Sequence, residues 1–79
     1  MPATRLPSNG LVIFAKRGCE TCVMVEPVFA ELARLRETVV LTQDEPDFSK
    51  LVEAVDDTAL EQSFRFDIEA VPTVIRLEN

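Results

Sequence analysis

Two cysteines separated by two residues, Cys19-Glu20-Thr21-Cys22, are the side chains of this chain best suited to chemistry. A thiolate is the nucleophile of disulfide exchange and a ligand for soft metals. Two intervening residues let both sulfurs meet on one helical turn, so that one attacks and the other resolves. Cys19 is the expected exposed, attacking thiol and Cys22 the more buried, resolving one. Lys16 and Arg17 precede the pair and add positive field, whereas the Glu20 carboxylate opposes a second negative charge beside it. The chain has no histidine, which removes Cys–His nucleophilic catalysis and every His-containing metal site. Zinc wants four ligands, so two thiolates bind it only if a second copy completes the set. The bland alternative is two small hydrophobes packed at a junction.

The pair falls where a strand hands over to a helix. Leu11–Ala15 is a continuous apolar run, as in a strand buried on both faces, and Lys16-Arg17-Gly18 breaks it. From Cys22 to Arg36 the spacing is helical, with Val25, Phe29 and Leu32 on one stripe that Val28 and Leu35 widen. A helix start offers free N–H groups and partial positive charge, both of which favour a thiolate. Thr38–Thr42 reads as a second strand, and Glu45-Pro46 as a loop. Asp47 is placed to cap a helix that buries Phe48, Leu51, Val52 and Val55, interrupted by Asp56-Asp57. Thr58 and Glu61 have capping-box spacing for a further short helix burying Leu60 and Phe64. Thr73–Leu77 reads as a last strand, with Ile75 and Leu77 on the face opposite Val74 and Arg76. The order is that of an α/β protein with a βαβ opening, one domain over residues 1–79 with an extended polar stretch at 1–10.

Three features together resemble the thioredoxin superfamily. They are the C-x-x-C itself, Pro27 five residues after Cys22, and Phe66-Asp67-Ile68-Glu69-Ala70-Val71-Pro72-Thr73. The last is similar to the segment that ends in a cis-proline before an antiparallel strand. Taken alone, Pro27 also suits the first turn of a helix, and Pro72 the first residue of a strand. The resemblance runs from Leu11 to Asn79 and implies a thioredoxin-like α/β fold with a three-strand mixed sheet. It implies a helix kinked at Pro27, Pro72 facing the Cys pair, and the Val71 backbone pairing with an extended substrate segment. The activity it implies is thiol–disulfide oxidoreduction: Cys19 attacks, Cys22 resolves, protein disulfides are the substrates, and a separate reductase or small thiol restores the dithiol. No cofactor is implied, and the cis-proline keeps metal off the pair.

The chain departs from that family in four places. Gly18 stands where a Trp is usual. Glu20-Thr21 is neither Gly-Pro nor the Pro-Tyr type, and this pair tunes the potential. Ile13 replaces a buried Asp that assists the resolving thiol, leaving Glu26 as a candidate substitute. The family's final strand and helix fall beyond Asn79, so the strand Thr73–Leu77 is expected to carry an unpaired edge.

The balance of 14 acidic against 8 basic residues, net −6, repels nucleic-acid phosphates and anionic lipid surfaces. A hydrophobic share of 47% belongs to a globular chain rather than a disordered one. The longest purely apolar run, Leu11–Ala15, is far short of a membrane span, and Met1–Gly10 lacks a signal-peptide core. The expected setting is the cytoplasm, where two close cysteines are redox-active or metal-binding rather than a structural staple. Asp44, Glu45, Asp47, Asp56 and Asp57 lack the EF-hand spacing and glycine, and read as a solvated loop. Two other readings stand beside the enzyme. A heavy-metal-associated module also sets a C-x-x-C at a loop–helix junction, but Pro27 and Val71-Pro72-Thr73 are foreign to it, and no hairpin lies between Thr38 and Phe48. A redox-inert adaptor on a thioredoxin scaffold is the other.

Overall fold

The strand β1 (Gly10–Ala15) carries no polar side chain and is buried at every position. A strand of that composition belongs in the middle of a sheet covered on both faces. The computed structural model, which describes residues 6–45 and 47–78, places it there. Helices α1 (Glu20–Met24) and α2 (Glu26–Leu35) follow, then β2 (Thr38–Thr42), β3 (Ala54–Asp56), α3 (Glu61–Arg65) and β4 (Thr73–Leu77). The sheet order is β3-β2-β1-β4. β1, β2 and β3 run parallel, and β4 is antiparallel to β1. The three parallel strands end level, Ala15 opposite Thr42 and Thr42 opposite Asp56.

Alternation along β1 sends successive side chains to opposite faces. Ile13 and Ala15 join Cys22, Phe29, Val40 and Phe48 in one apolar cluster. Val12 and Phe14 join Leu41 in the other, closed by Leu6, Phe66, Ile68 and Ile75. Phe14 packs on Phe66 with ring centroids 6.1 Å apart. Each such buried side chain contributes about 1.5–3 kcal/mol relative to exposure. Gly10 is required by a close approach, because a Cβ there would overlap the Glu37 carbonyl.

The sheet has four strands, not three. The extra strand, β3, lies in a segment whose apolar spacing suggests a helix from Asp47. Residues 47–53 instead run as turns. The Ser49 hydroxyl accepts the N–H groups of Leu51 at 2.9 Å and Val52 at 3.0 Å, giving the backbone a local alternative to helix. Phe48 is buried against Phe29 and Val52 is half-buried, but Leu51 and Val55 are exposed. Ala54–Asp56 satisfies the open side of β2 instead.

The last helix also differs. Thr58 does not cap it. Leu60 takes the left-handed conformation, φ 59°, and α3 starts at Glu61. The Asp57 carboxylate accepts the N–H groups of Gln62 at 2.9 Å and Ser63 at 3.0 Å, together with the Ser63 hydroxyl at 2.7 Å. This turns Gln62 and Ser63 inward and leaves Leu60 and Phe64 exposed. The helical stretch after β1 begins at Glu20 and is divided at Val25. Pro27 sits in the first turn of α2, so the change of helix lies two residues before it rather than in a continuous kinked helix. β4 is an outer strand among the described residues. Within the stretch 1–10, Pro7 is buried, and residues 1–5 lie outside the described residues, as does Pro46 of the expected loop.

Candidate functional site

The carboxyl ends of β1 and β2 and the turn before β4 converge on Cys19. Cys19 is the N-cap of α1, with extended backbone angles, and its sulfur accepts the N–H of Cys22 at 3.1 Å. A helix start leaves its first N–H groups without intrahelical acceptors, and here a sulfur takes the place of the usual oxygen. The Cys19 thiol also donates to the Val71 carbonyl at 3.6 Å. The Val71–Pro72 peptide is cis. The Cys19–Cys22 pair stands at 2.7 Å, and both cysteines are free.

The two thiols have opposite settings. Cys19 is partly exposed, and Cys22 is fully buried in the apolar cluster with Ile13 and Ala15. The Cys19 thiol is held below its ordinary pKa, first by its hydrogen bond with the Cys22 side chain. The N–H groups of Cys22 and Thr21 and the Lys16 charge add to this and outweigh desolvation. Burial pushes the Cys22 thiol up to about 11, and the hydrogen bond and charge of Cys19 push in the same direction. The first proton therefore leaves Cys19.

Lys16 is the cation that acts on the pair. Arg17 is engaged elsewhere, donating to the Phe48 carbonyl at 3.3 Å and pairing with Glu45 at 3.5 Å. Thr21 contributes its backbone N–H, and Glu20 is exposed in the first turn of α1. Glu26 is half-buried in the first turn of α2, after the helix that carries both cysteines has ended.

Asp44 was not legible as a site residue from its neighbours in sequence. Its Oδ1 accepts the Arg17 N–H at 2.7 Å and its Oδ2 the Gly18 N–H at 2.8 Å. Thr42 donates its hydroxyl at 3.2 Å, and Glu45 its N–H at 2.6 Å. Desolvation raises the Asp44 pKa, but the Arg17, Gly18 and Glu45 N–H groups and the Thr42 hydroxyl together take it below the usual carboxylate value. The only local signal is a short acidic side chain just past a strand end, a type that favours backbone capping.

A groove of about 360 Å³ opens beside the pair, lined in part by Lys16, Gln43, Ser63, Phe64, Ile68 and Val71. The Phe64 ring is 88% exposed at its rim. Among the described residues no group of three or more Cys, Asp or Glu side chains is assembled to hold a metal, and no helix is long and apolar enough to cross a membrane. Asp44, Asp56 and Asp57 serve backbone N–H groups of their own turns and of the loop before Cys19. Comparison with protein-family models, with curated proteins and with solved structures finds no match for this chain.

Proposed function

We propose that this chain is a thioredoxin-like thiol–disulfide oxidoreductase that reduces protein disulfides. The observation that carries the reading is the geometry of the pair: a partly exposed Cys19 that caps α1 and faces the Val71 carbonyl, and a Cys22 buried one turn on; the lowered pKa of the first thiol and the raised pKa of the second agree with it. The parallel β1–α–β2 unit with an antiparallel β4, and the Val71–Pro72 turn opposite Cys19, support the thioredoxin-like assignment.

The Cys19 thiolate attacks one sulfur of a substrate disulfide. The substrate S–S bond breaks, and the departing sulfur takes up a proton. Cys22 then loses its proton to solvent and attacks Cys19 Sγ; the Cys19–substrate bond breaks, and the second substrate sulfur leaves as a thiolate that takes up a proton from solvent. The substrate gains two electrons and two protons, and Cys19–Cys22 is left oxidised. An external dithiol or small thiol returns the pair to its reduced form. Within hydrogen-bond reach of Cys19, the Val71 carbonyl is free to meet an extended substrate backbone once the thiol proton is gone. The groove beside it offers apolar surface to a neighbouring substrate side chain. The reducing direction fits a cytoplasmic setting, where thiol pools keep cysteines reduced.

The test is a redox titration of the purified chain in glutathione buffers, with alkylation and mass measurement at each point. A reversible Cys19–Cys22 disulfide with a midpoint between about −180 and −300 mV supports the reading. Thiols that never pair, or that arrive occupied by a metal, overturn it.

A further inference from the structure

The geometry points to Asp44 as a positioning residue that holds the Lys16–Gly18 turn so that Cys19 meets its hydrogen-bond donors. The inference rests on the exchange reading only in taking Cys19 as the attacking thiol. Three features carry it. Asp44 follows β2 and reaches across the ends of the parallel strands to the turn that follows β1. Its two oxygens are divided between consecutive N–H groups, those of Arg17 and Gly18, at 2.7 and 2.8 Å. Cys19 comes next, and its own N–H donates to the Lys16 carbonyl at 3.2 Å, so the fork and the turn fix where α1 begins.

The carboxylate is itself held in place. The Thr42 hydroxyl and the Glu45 N–H complete its acceptor set, and Thr42 is fully buried and in register with Ala15. β2 thus relays its position to the residue before Cys19. Gly18 allows this closeness, because a Cβ there would come within 3.3 Å of Asp44 Oδ2.

A bare negative charge near a thiol raises its pKa, and a clamp that aims N–H groups at the thiol lowers it. The two roles of Asp44 therefore predict opposite signs on its removal. The charged and titratable groups around the turn are Lys16, Arg17, Glu20, Cys22, Asp44 and Glu45, and Asp67 and Glu69 of the segment before β4 line the groove next to Lys16 and Val71. Only Asp44 changes in the variants, although Arg17 and Glu45 are its neighbours in the turn.

The experiment is the pH profile of Cys19 alkylation by iodoacetamide in the reduced full-length chain, read by peptide mass from about pH 4 to about pH 10. Asp44→Ala removes both acceptors, and Asp44→Asn retains one oxygen. We expect the midpoint to rise in both, further in Asp44→Ala, with alkylation near neutral pH slowed about threefold or more in that variant. A profile that superimposes on the parent, or that moves to lower pH, overturns the inference even if the melting temperature falls. If Asp44→Ala does not fold, the direction of the Asp44→Asn shift decides. Alkylation needs no disulfide partner, so this outcome is separate from the glutathione titration, which alone tests whether the pair cycles.

Discussion

Two strands of the parallel set hand over to helices at the same edge of the sheet, and each handover is capped by a different chemistry. At β1–α1 the cap is a sulfur, Cys19, accepting one N–H from Cys22. At β3–α3 it is a carboxylate, Asp57, accepting two N–H groups and a hydroxyl. Asp57 is 4% exposed, and its partner Ser63 also accepts from Gln43 Nε2 at 2.9 Å. The carboxylate cap is spent on structure. The sulfur cap is partly open, and the N–H groups that hold it also stabilise its negative form. The two handovers thus differ in their capping atoms: the Cys19 sulfur is partly exposed and carries a proton held with a lowered pKa, whereas the Asp57 carboxylate is buried among the donors that it satisfies.

The comparison predicts that the two caps fail differently. Asp57→Ala leaves two N–H groups and the Ser63 hydroxyl without their acceptor in a buried place. It should cost about 2–3 kcal/mol in denaturant unfolding, while the Cys19 alkylation profile of the folded fraction stays where it was. A shift of that profile as large as the one expected from Asp44→Ala would mean the two handovers are coupled, and the contrast between them would fail.

The next effect depends on pH. The folded-state pKa of Cys22 is raised to about 11, so its contribution to stability is fully present below the ordinary thiol value and is lost as pH rises through about 11. The loss approaches about 2.7 kcal/mol for a rise of this size from the ordinary thiol value. Cys19 has the opposite sign. Its folded pKa is lowered, so its contribution is present above the ordinary thiol value and is lost as pH falls through the folded value. Unfolding curves from neutral to strongly alkaline pH should therefore show a decline that Cys22→Ala removes. If both chains decline in parallel, the buried thiol is not the group responsible.

The first handover was far more legible in the sequence than the second. β2 and β4 fall at the residues the patterning marks, Thr38–Thr42 and Thr73–Leu77, and β1 differs only by starting at Gly10. Continuous apolar runs and strict alternation leave few ways to bury those segments. The stretch from Asp47 to Arg65 has no such constraint. Phe48, Leu51, Val52 and Val55 match a helical period, yet the structure uses Phe48 and Val52 in the core and gives Ala54–Asp56 to the sheet edge. Asp57 caps residues five and six positions on, outside the three-residue spacing that points to Thr58. Asp44 acts on residues 26 and 27 positions away, a distance at which local pattern carries no signal. Local caps and periods are visible in a sequence; side chains that join two loops across strand ends are not.

The smallest predicted effect asks whether Cys19 is a cap at all. Serine keeps an acceptor for the Cys22 N–H and a donor for the Val71 carbonyl, whereas alanine keeps neither. Cys19→Ala should therefore cost about 0.5–1 kcal/mol, and Cys19→Ser should lie within about 0.5 kcal/mol of the parent. Both variants should be unable to form a mixed disulfide, since neither has a sulfur at that position. Stability and exchange would then separate at a single atom: oxygen serves the cap as well as sulfur does, and only sulfur reacts. If Cys19→Ser is as unstable as Cys19→Ala, the N–H of Cys22 draws no support from the capping atom, and the likeness between the two handovers is one of position without shared energetics.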